Sequence, residues 1–341
     1  MSPNSVIESE TQNGSSIIED KNIIITKRIG TDYSYRHEIV WKNAIGFLIL
    51  HILAVWGLFI LFTGGISLKT YLWSAFLMVC GSEGVTIGAH RLFSHRSFKA
   101  TPLLKAVLLF FFTMSGQSLG KRIDMSDLEA DWMIMFQKKY YYYLYVISAI
   151  IIPVCIPYYY FGESFKNSLL FCYFTRYLAQ LNGTWLVNSA AHLYGTRPYD
   201  KKLQPVESWF VSFISLGEGW HNYHHTFPWD YKAAEWNMHF NSSATFIRWF
   251  EKLGLAYDLK TASSKMVENR VLKSGDGTHY ALGNDQNRKA VTAFGILHPL
   301  NPSYNVVYDA PEAALEDKGL PLNDENDVIN VNVLKRRSAR A

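Results

Sequence analysis

Six of the eleven histidines in the 341-residue chain fall within three short motifs. These six are His90, His95, His192, His221, His224 and His225. Positions i, i+3 and i+4 of an α-helix lie on one face, so the last three can direct their rings into one volume. Three neighbouring imidazoles repel one another when protonated, whereas a divalent metal binds all three as neutral donors. The cluster therefore predicts a metal site.

The other histidine spacings indicate how the remaining candidate ligands are held. Asn188 and His192 are four residues apart, which puts them on the same helix face. His90 and His95 are five apart and share no face of an α-helix, so we expect one of them to act from a helix end or a turn. No cysteine accompanies the motifs, and imidazole binds zinc, copper, iron and nickel alike, so the ligand type leaves the metal open. The five other histidines are interpreted as hydrogen-bonded polar groups: His37, His51, His239, His279 and His298.

The elements that must position these side chains are predicted to be membrane helices. Charged residues make up 18% of the chain, against a usual share of about 25%. Four apolar stretches approach the ~20 residues that span a bilayer, and these are 44–64, 71–89, 140–161 and 168–187. Their only formal charges are Glu83 and Arg176. This pattern excludes a soluble globular protein.

The distribution of Lys and Arg predicts an orientation for the four spans. Basic residues precede the first span and fill the segment 90–139, while the two short loops carry only Lys69 and Lys166. By the positive-inside rule, both termini and the central segment face the cytosol, and the loop at 64–70 faces the lumen. The spans then form two hairpins, and the shorter apolar stretch 103–114 predicts a helix on the cytosolic surface. The net charge of +4 comes without a basic stripe, so the predicted counterpart is membrane lipid and no nucleic acid.

Together these motifs resemble the membrane-bound acyl-CoA desaturases of the insect and vertebrate stearoyl-CoA type. The resemblance runs in order over residues 36–264. It rests on His90-Arg91-Leu92-Phe93-Ser94-His95, on His221-Asn222-Tyr223-His224-His225, and on the segments 40–43, 182–195, 197–200, 217–220 and 227–231. It implies an all-α membrane protein with four transmembrane helices and a cytosolic helical cap that carries a histidine-rich di-iron site. This domain would cover 37–265, between an N-terminal tail at 1–36 and a C-terminal tail at 266–341.

The resemblance also implies a reaction and a set of site residues. The reaction is the dioxygen-dependent insertion of a cis double bond into a saturated fatty acyl-CoA at two irons, in the endoplasmic reticulum membrane. Electrons would come from cytochrome b5 and its reductase, and assembly with other copies or other desaturases is left open. The six histidines named above would ligate iron, and Asn188 would hold a water on one metal. Asn43 and Trp185 match positions that contact the acyl-CoA.

One departure from the family pattern concerns the metal site. Members carry a second box, His-x-x-His-His, before the third span, but no histidine occurs here from Arg96 to Ala191. The sequence looks joined across a gap between Leu119 and Gly120. We therefore expect fewer than two tightly held irons and impaired catalysis. The acidic residues beyond the join are interpreted as a solvated helix face: Asp124, Asp127, Glu129 and Asp131.

Two other functions remain open at this point. A truncated, non-catalytic desaturase could bind lipid or partner desaturases, and its metal content would distinguish it from an enzyme. A transporter could use the intramembrane charges Glu83 and Arg176, because such residues are functional candidates by default. Six histidines gathered outside the bilayer fit transport poorly.

Overall fold

The described part of the chain is mostly helical. The computed structural model describes residues 39–117, 130–235 and 238–284, together with a short strand at 328–330. The predicted tail at 1–36 and the join between Leu119 and Gly120 lie outside these ranges. The α-helices are α1 (Trp41–Phe62), α2 (Leu68–Glu83), α3 (Pro102–Met114), α4 (Trp132–Tyr145), α5 (Ile152–Tyr160), α6 (Phe165–Ser168), α7 (Arg176–Asn188), α8 (Trp209–Ser215), α9 (His221–Thr226), α10 (Ser242–Lys252) and α11 (Ser264–Ser274).

Three segments interrupt these helices with the wider π-helical hydrogen-bond pattern. They are π1 (Gly84–Ser94), π2 (Val146–Ile151) and π3 (Leu169–Thr175). Each directly follows an α-helix, so α2 with π1, and α4 with π2 and α5, form two long rods, the second of which is kinked at Tyr140. π-helical turns are rare and are found mostly at functional sites.

Three helices in the described ranges are long and apolar enough to cross a membrane: Trp41–Phe62, Leu68–Ser94 and Trp132–Tyr160. They overlap the first three predicted spans. The first two begin three residues earlier than predicted, and the third begins eight residues earlier because the helix also includes 132–139. The fourth predicted span, 168–187, falls in the continuous helix formed by α6, π3 and α7. Arg176, Gln180 and Asn182 lower the hydropathy of that helix, which is why it is not among the three.

The continuous helix of α6, π3 and α7 lies inside the bundle. α1 packs more extensively against π3 than along its sequence neighbour α2. The contact is close, since the Thr175 hydroxyl donates to the Ala54 carbonyl at 2.9 Å. The opposite side of α1 is apolar and exposed, with Phe59 at 64% and Val55 at 60%. An apolar outer surface with a polar contact inside is the pattern expected of a helix that faces lipid.

The two short loops between helices touch each other. The Glu163 carboxylate accepts hydrogen bonds from the Ser67 backbone N–H at 3.0 Å and from the Asn167 amide at 3.1 Å. Asn167 also donates to the Gly65 carbonyl at 2.9 Å. The loop after α1 and the loop after α5 therefore lie at the same end of the helices, opposite the end where π1 and α7 terminate.

At that opposite end the helices join a smaller, mixed region. A hydrophobic cluster connects π1 through Ile87, α3 through Leu108 and α10 through Ile247. Two short antiparallel pairs brace it: β1 (Lys99–Ala100) with β2 (Ala256–Tyr257), and β3 (Lys260–Ala262) with β4 (Val328–Asn330). The helix at 103–114 predicted from the sequence is present as α3. The helix α11 crosses the predicted domain boundary at 265.

Candidate metal centre and adjoining cavity

The π-helical segment π1 explains how two histidines five residues apart meet. In a π-helix the backbone bonds run from i+5 to i, and the His95 N–H donates to the His90 carbonyl at 3.0 Å. The two Nε2 atoms approach to 3.1 Å, and the ring centroids lie 4.7 Å apart. His95 is the C-terminal cap of the segment. The expectation that one of the pair acts from a helix end is confirmed.

The short helix α9 carries the other three clustered histidines and is fixed by its two intervening residues. The Asn222 side chain accepts from the backbone N–H groups of Tyr199 at 3.0 Å and Asp200 at 3.1 Å. The Tyr223 hydroxyl donates to Asp230 at 2.7 Å. A helix of six residues is too short to be stable alone, so these buried bonds hold it.

The six histidines form two groups of three. His90, His95 and His224 make the first group, and His192, His221 and His225 make the second. In each group the candidate ligand nitrogens all lie within 4.8 Å of one another. The groups adjoin, because the rings of His221 and His224 are 5.7 Å apart. Chain segments separated by more than 120 residues thus converge on two neighbouring points.

The surroundings favour the neutral form of the imidazoles. Burial and the neighbouring histidines lower the pKa of His221 to about 3 and those of His95 and His225 to about 4. Burial likewise holds the pKa of His224 well below its usual range. Neutral imidazoles offer a lone pair to a metal, whereas imidazolium does not. At neutral pH both groups therefore suit a divalent cation.

A buried carboxylate supports the first group. Glu218 accepts from the Arg91 guanidinium at 2.5 Å, and its other oxygen lies 3.3 Å from Nδ1 of His90. Although burial raises the pKa of Glu218, the Arg91 charge and the hydrogen bond with His90 hold that pKa well below its usual range. A carboxylate on Nδ1 fixes the ring tautomer and leaves Nε2 of His90 to face the other ligands. Gly217, at φ +117°, lets the chain turn here, because a side chain would be strained at that angle.

All six histidines line one cavity of about 680 Å³. From the histidines it extends between α2 and α7. Its wall is mostly aliphatic, with a few polar groups, and includes Met78, Val79, Val85, Val187, Ile214, Leu216, Ser82, Thr86, Gln180 and Thr184. An elongated apolar pocket with polar groups at one end suits a long hydrocarbon chain with its reacting part near the histidines.

Of the three other predicted site residues, Asn188 lines this cavity, whereas Asn43 and Trp185 are not among its lining residues. The Asn188 amide donates to the Thr184 carbonyl at 3.1 Å. The prediction that Asn188 and His192 share one helix face is wrong, because α7 ends at Asn188, Ser189 is non-helical, and His192 lies in a separate 3-10 turn. Trp185 is 42% exposed and meets Phe47 edge to face at 5.5 Å. Phe47 is one turn from Asn43, which is also exposed, so Asn43 and Trp185 share the surface where α1 meets α7.

Sequence reasoning did not assign roles to Glu218 and Arg91. The signal was present, since Glu218 stands three residues before His221 and is flanked by two glycines. Of the acidic residues interpreted as a solvated helix face, Asp131 lies in the described part of the chain, where it caps α4 and pairs with Lys105 at 2.8 Å. His279, interpreted as a hydrogen-bonded polar group, is buried and lies 2.8 Å from Glu235.

Comparison with known proteins identifies the family. The chain is 40% identical over 297 residues to the acyl-CoA Delta-9 desaturase of Acheta domesticus, covering 73% of this chain and 82% of that protein. It is 38% identical over 289 residues to the stearoyl-CoA desaturase of Homo sapiens, covering 71% and 80%. It is 37% identical over 328 residues to the (11Z)-hexadec-11-enoyl-CoA conjugase of Bombyx mori, covering 82% and 98%. No protein-family model matches the chain. On these similarities the chain belongs to the acyl-CoA desaturases, which are membrane oxidoreductases of lipid metabolism.

Proposed function

We propose that this chain binds a fatty acyl-CoA with its hydrocarbon chain in the cavity between α2 and α7. The observation that carries the proposal is that all six histidines line this one cavity. The names of the relatives, which include Delta-9 and Delta-12 desaturases, support an acyl-CoA substrate.

Iron would be held by the two groups of three histidines. The donor set fits, because three neutral imidazoles converge in each group and leave further coordination positions open. Bound iron would supply the activation of dioxygen, since unactivated C–H bonds lie beyond side-chain acid–base chemistry. The chain's own residues hold the ligands and the substrate. Glu218 fixes the tautomer of His90, the aliphatic wall excludes water, and Asn188 would bind a water on one of the metals.

Catalysis is proposed to be impaired because the second histidine box is missing. With three protein ligands each, two irons would be weakly held and variable in separation. The alignment with the Acheta domesticus Delta-9 desaturase supports an internal gap. It is 297 positions long but includes only 73% of the 341 residues.

A non-catalytic lipid-binding or partner-binding protein would use the same cavity and would differ from the enzyme in its metal content. Transport is not favoured by the positions of its two candidate charges. The Glu83 carboxylate accepts from the hydroxyls of Ser242 at 2.7 Å and Ser243 at 2.6 Å, which ties α2 to α10. For an active form, cytochrome b5 and its reductase are the proposed electron donors, acting on the cytosolic side of the endoplasmic reticulum membrane.

We expect both termini to be cytosolic and the loop at 64–70 to be lumenal, with four spans in total. The contact between Glu163 and Ser67 supports this topology, because it requires the two short loops to lie on the same side. Tags placed at each terminus and in the loop, tested by protease protection in sealed microsomes, check the prediction. Protection of either terminal tag would contradict it.

We expect two metal sites that can be removed one at a time. His224→Ala should lower the Co²⁺ affinity of the first group by more than about 100-fold, and His192→Ala should do the same at the second group. Removing a ligand lowers metal affinity more than removing a residue that only orients a ligand. Titration of the purified apoprotein with Co²⁺, followed by its visible absorption, measures both sites.

His51→Gln is the control for these variants, since His51 lies on α1, away from both groups of histidines, and bonds to the Phe47 carbonyl of the same helix at 2.7 Å. It should retain both sites. Loss of both sites together in either alanine variant would contradict two separate groups, and no Co²⁺ binding by the parent protein would favour the non-catalytic alternative.

A further inference from the structure

A buried amide lies in the wall of the acyl cavity with one half of it unpaired. Gln180, on α7, is 4% exposed and lines the cavity. Its Oε1 accepts from the Arg176 guanidinium at 3.4 Å. Its Nε2 has no hydrogen-bond partner among the described residues. Because a guanidinium can only donate, the contact fixes which end of the amide is the free donor.

The facing helix leaves room for this amide nitrogen. A Cβ at Gly81, on the facing helix α2, would lie 2.3 Å from Gln180 Nε2, so any larger residue there would displace the amide. Buried donors are almost always paired in native proteins, and an unpaired one is destabilising. A donor that is both fixed and unpaired in a cavity wall is therefore a candidate for pairing with a ligand.

Arg176 is a buried charge that holds the Gln180 amide in position. Its side chain is 2% exposed at membrane depth, and it also donates to the Cys172 carbonyl at 2.8 Å and the Ala149 carbonyl at 3.0 Å. These carbonyls belong to π3 and π2. A charged residue inside a membrane helix is costly and usually has a function. Here it anchors Gln180 and polarises the amide, which makes Nε2 a stronger donor.

The position of Gln180 determines which part of a substrate it would meet. It precedes Asn188 by eight residues, which is about 12 Å along the helix axis. An acyl chain whose reacting carbons lie beside the histidines would pass Gln180 with the part nearer its methyl end.

We propose that Gln180 selects acyl chains that carry a hydrogen-bond acceptor toward the methyl end. This rests on the proposed binding of an acyl chain in the cavity. A hydroxyl oxygen would accept fully from Nε2, and the π face of a cis double bond would accept weakly. A saturated chain leaves the donor unpaired, and sites built to hydrogen-bond a substrate discriminate against analogues that lack the group.

The test compares binding of octadecanoyl-CoA with that of two analogues of the same length. One analogue carries a hydroxyl near the methyl end, tested as a set of positional isomers, and the other carries a cis double bond there. Displacement of a fluorescent acyl probe from the full-length protein in detergent gives each affinity. We expect the best hydroxy isomer to bind about fivefold more tightly than the saturated chain, and the alkene about twofold.

The variant Gln180→Met isolates the donor, because methionine is a flexible side chain of similar length that has no N–H and pairs only weakly with a hydroxyl. It should lose the preference while still binding octadecanoyl-CoA. Asn182→Leu is the matched control, since Asn182 is an amide on the same helix that bonds to the Leu178 carbonyl and is not in the cavity wall. It should keep the preference.

The outcomes separate this inference from the proposed function. If the parent protein binds no octadecanoyl-CoA or analogue, the proposed function fails. If it binds all three equally, or if Gln180→Met keeps the preference, only the role of Gln180 is overturned.

Discussion

Expressed in a desaturase-deficient host, the chain as it stands is expected to make no monounsaturated acyl chains. Insertion of a family-like segment containing His-x-x-His-His between Leu119 and Gly120 is expected to restore product. The reason is geometric, because breaking a C–H bond requires two metals at a fixed separation and three histidines cannot fix each metal. A misplacement of about 1 Å can already cost ~100-fold in rate. Gas chromatography of the host's fatty acids measures the product.

His224→Ala in the restored chain is the control, since it removes a ligand from the first group of histidines and should abolish the recovered product. A scrambled insert of equal length without histidine should give none. Product from the unmodified chain above the empty-vector level, lost in His224→Ala, would show that the six histidines suffice.

Replacement of Arg91 by Met is expected to lower the free energy of unfolding by about 3–5 kcal/mol, because it leaves the buried Glu218 charge without its partner. Arg91 is 1% exposed, and it also donates to the backbone carbonyls of Tyr231 at 2.7 Å and Lys232 at 3.2 Å. Thermal or denaturant unfolding of the detergent-solubilised protein measures the loss. It should be accompanied by weaker Co²⁺ binding at the first group, since Glu218 also supports His90.

Two variants distinguish this buried pair from an ordinary surface contact. Lys99→Met removes an ion pair with Asp258 in which Lys99 is 67% exposed, and it should leave stability unchanged within error. The double variant Arg91→Met with Glu218→Leu should recover part of the loss, because apolar residues can replace a buried ion pair. A loss of equal size in Lys99→Met and Arg91→Met would contradict this account.

The clustered histidines were the part of the site most open to prediction from sequence. His221, His224 and His225 follow a local rule, the period of one helix turn, and α9 is the helix that this rule predicts. The expectation that their three rings meet in one volume is wrong, because His224 belongs to the first group and His221 and His225 to the second. Long apolar stretches likewise predict α1 and the rods that follow it, because bilayer thickness sets their length. Both signals are local, so they can be recognised in the sequence without knowledge of the tertiary structure.

The features that escaped prediction depend on contacts between distant segments. Helical periodicity assumes an α-helix, so the π-helical register that joins His90 to His95 could not be anticipated. The partition into two groups of three depends on the approach of α9 to π1 and α7. Likewise, the surroundings of Gln180 depend on the packing of α2 against α7, which places Gly81 beside its amide.

Two buried charges in and beside π1 constrain the order in which the protein folds during its synthesis. Glu83 and Arg91 leave the ribosome long before their partners, since Glu218 follows Arg91 by 127 residues and Ser243 follows Glu83 by 160. At ~5–20 residues per second, that delay is on the order of ten seconds. During this interval the second helix has been inserted while both charges still lack their partners. The segment from Glu218 to α10 can therefore pack around the histidines only after α10 has been synthesised, so the two groups of histidines are assembled late in the biogenesis of this protein.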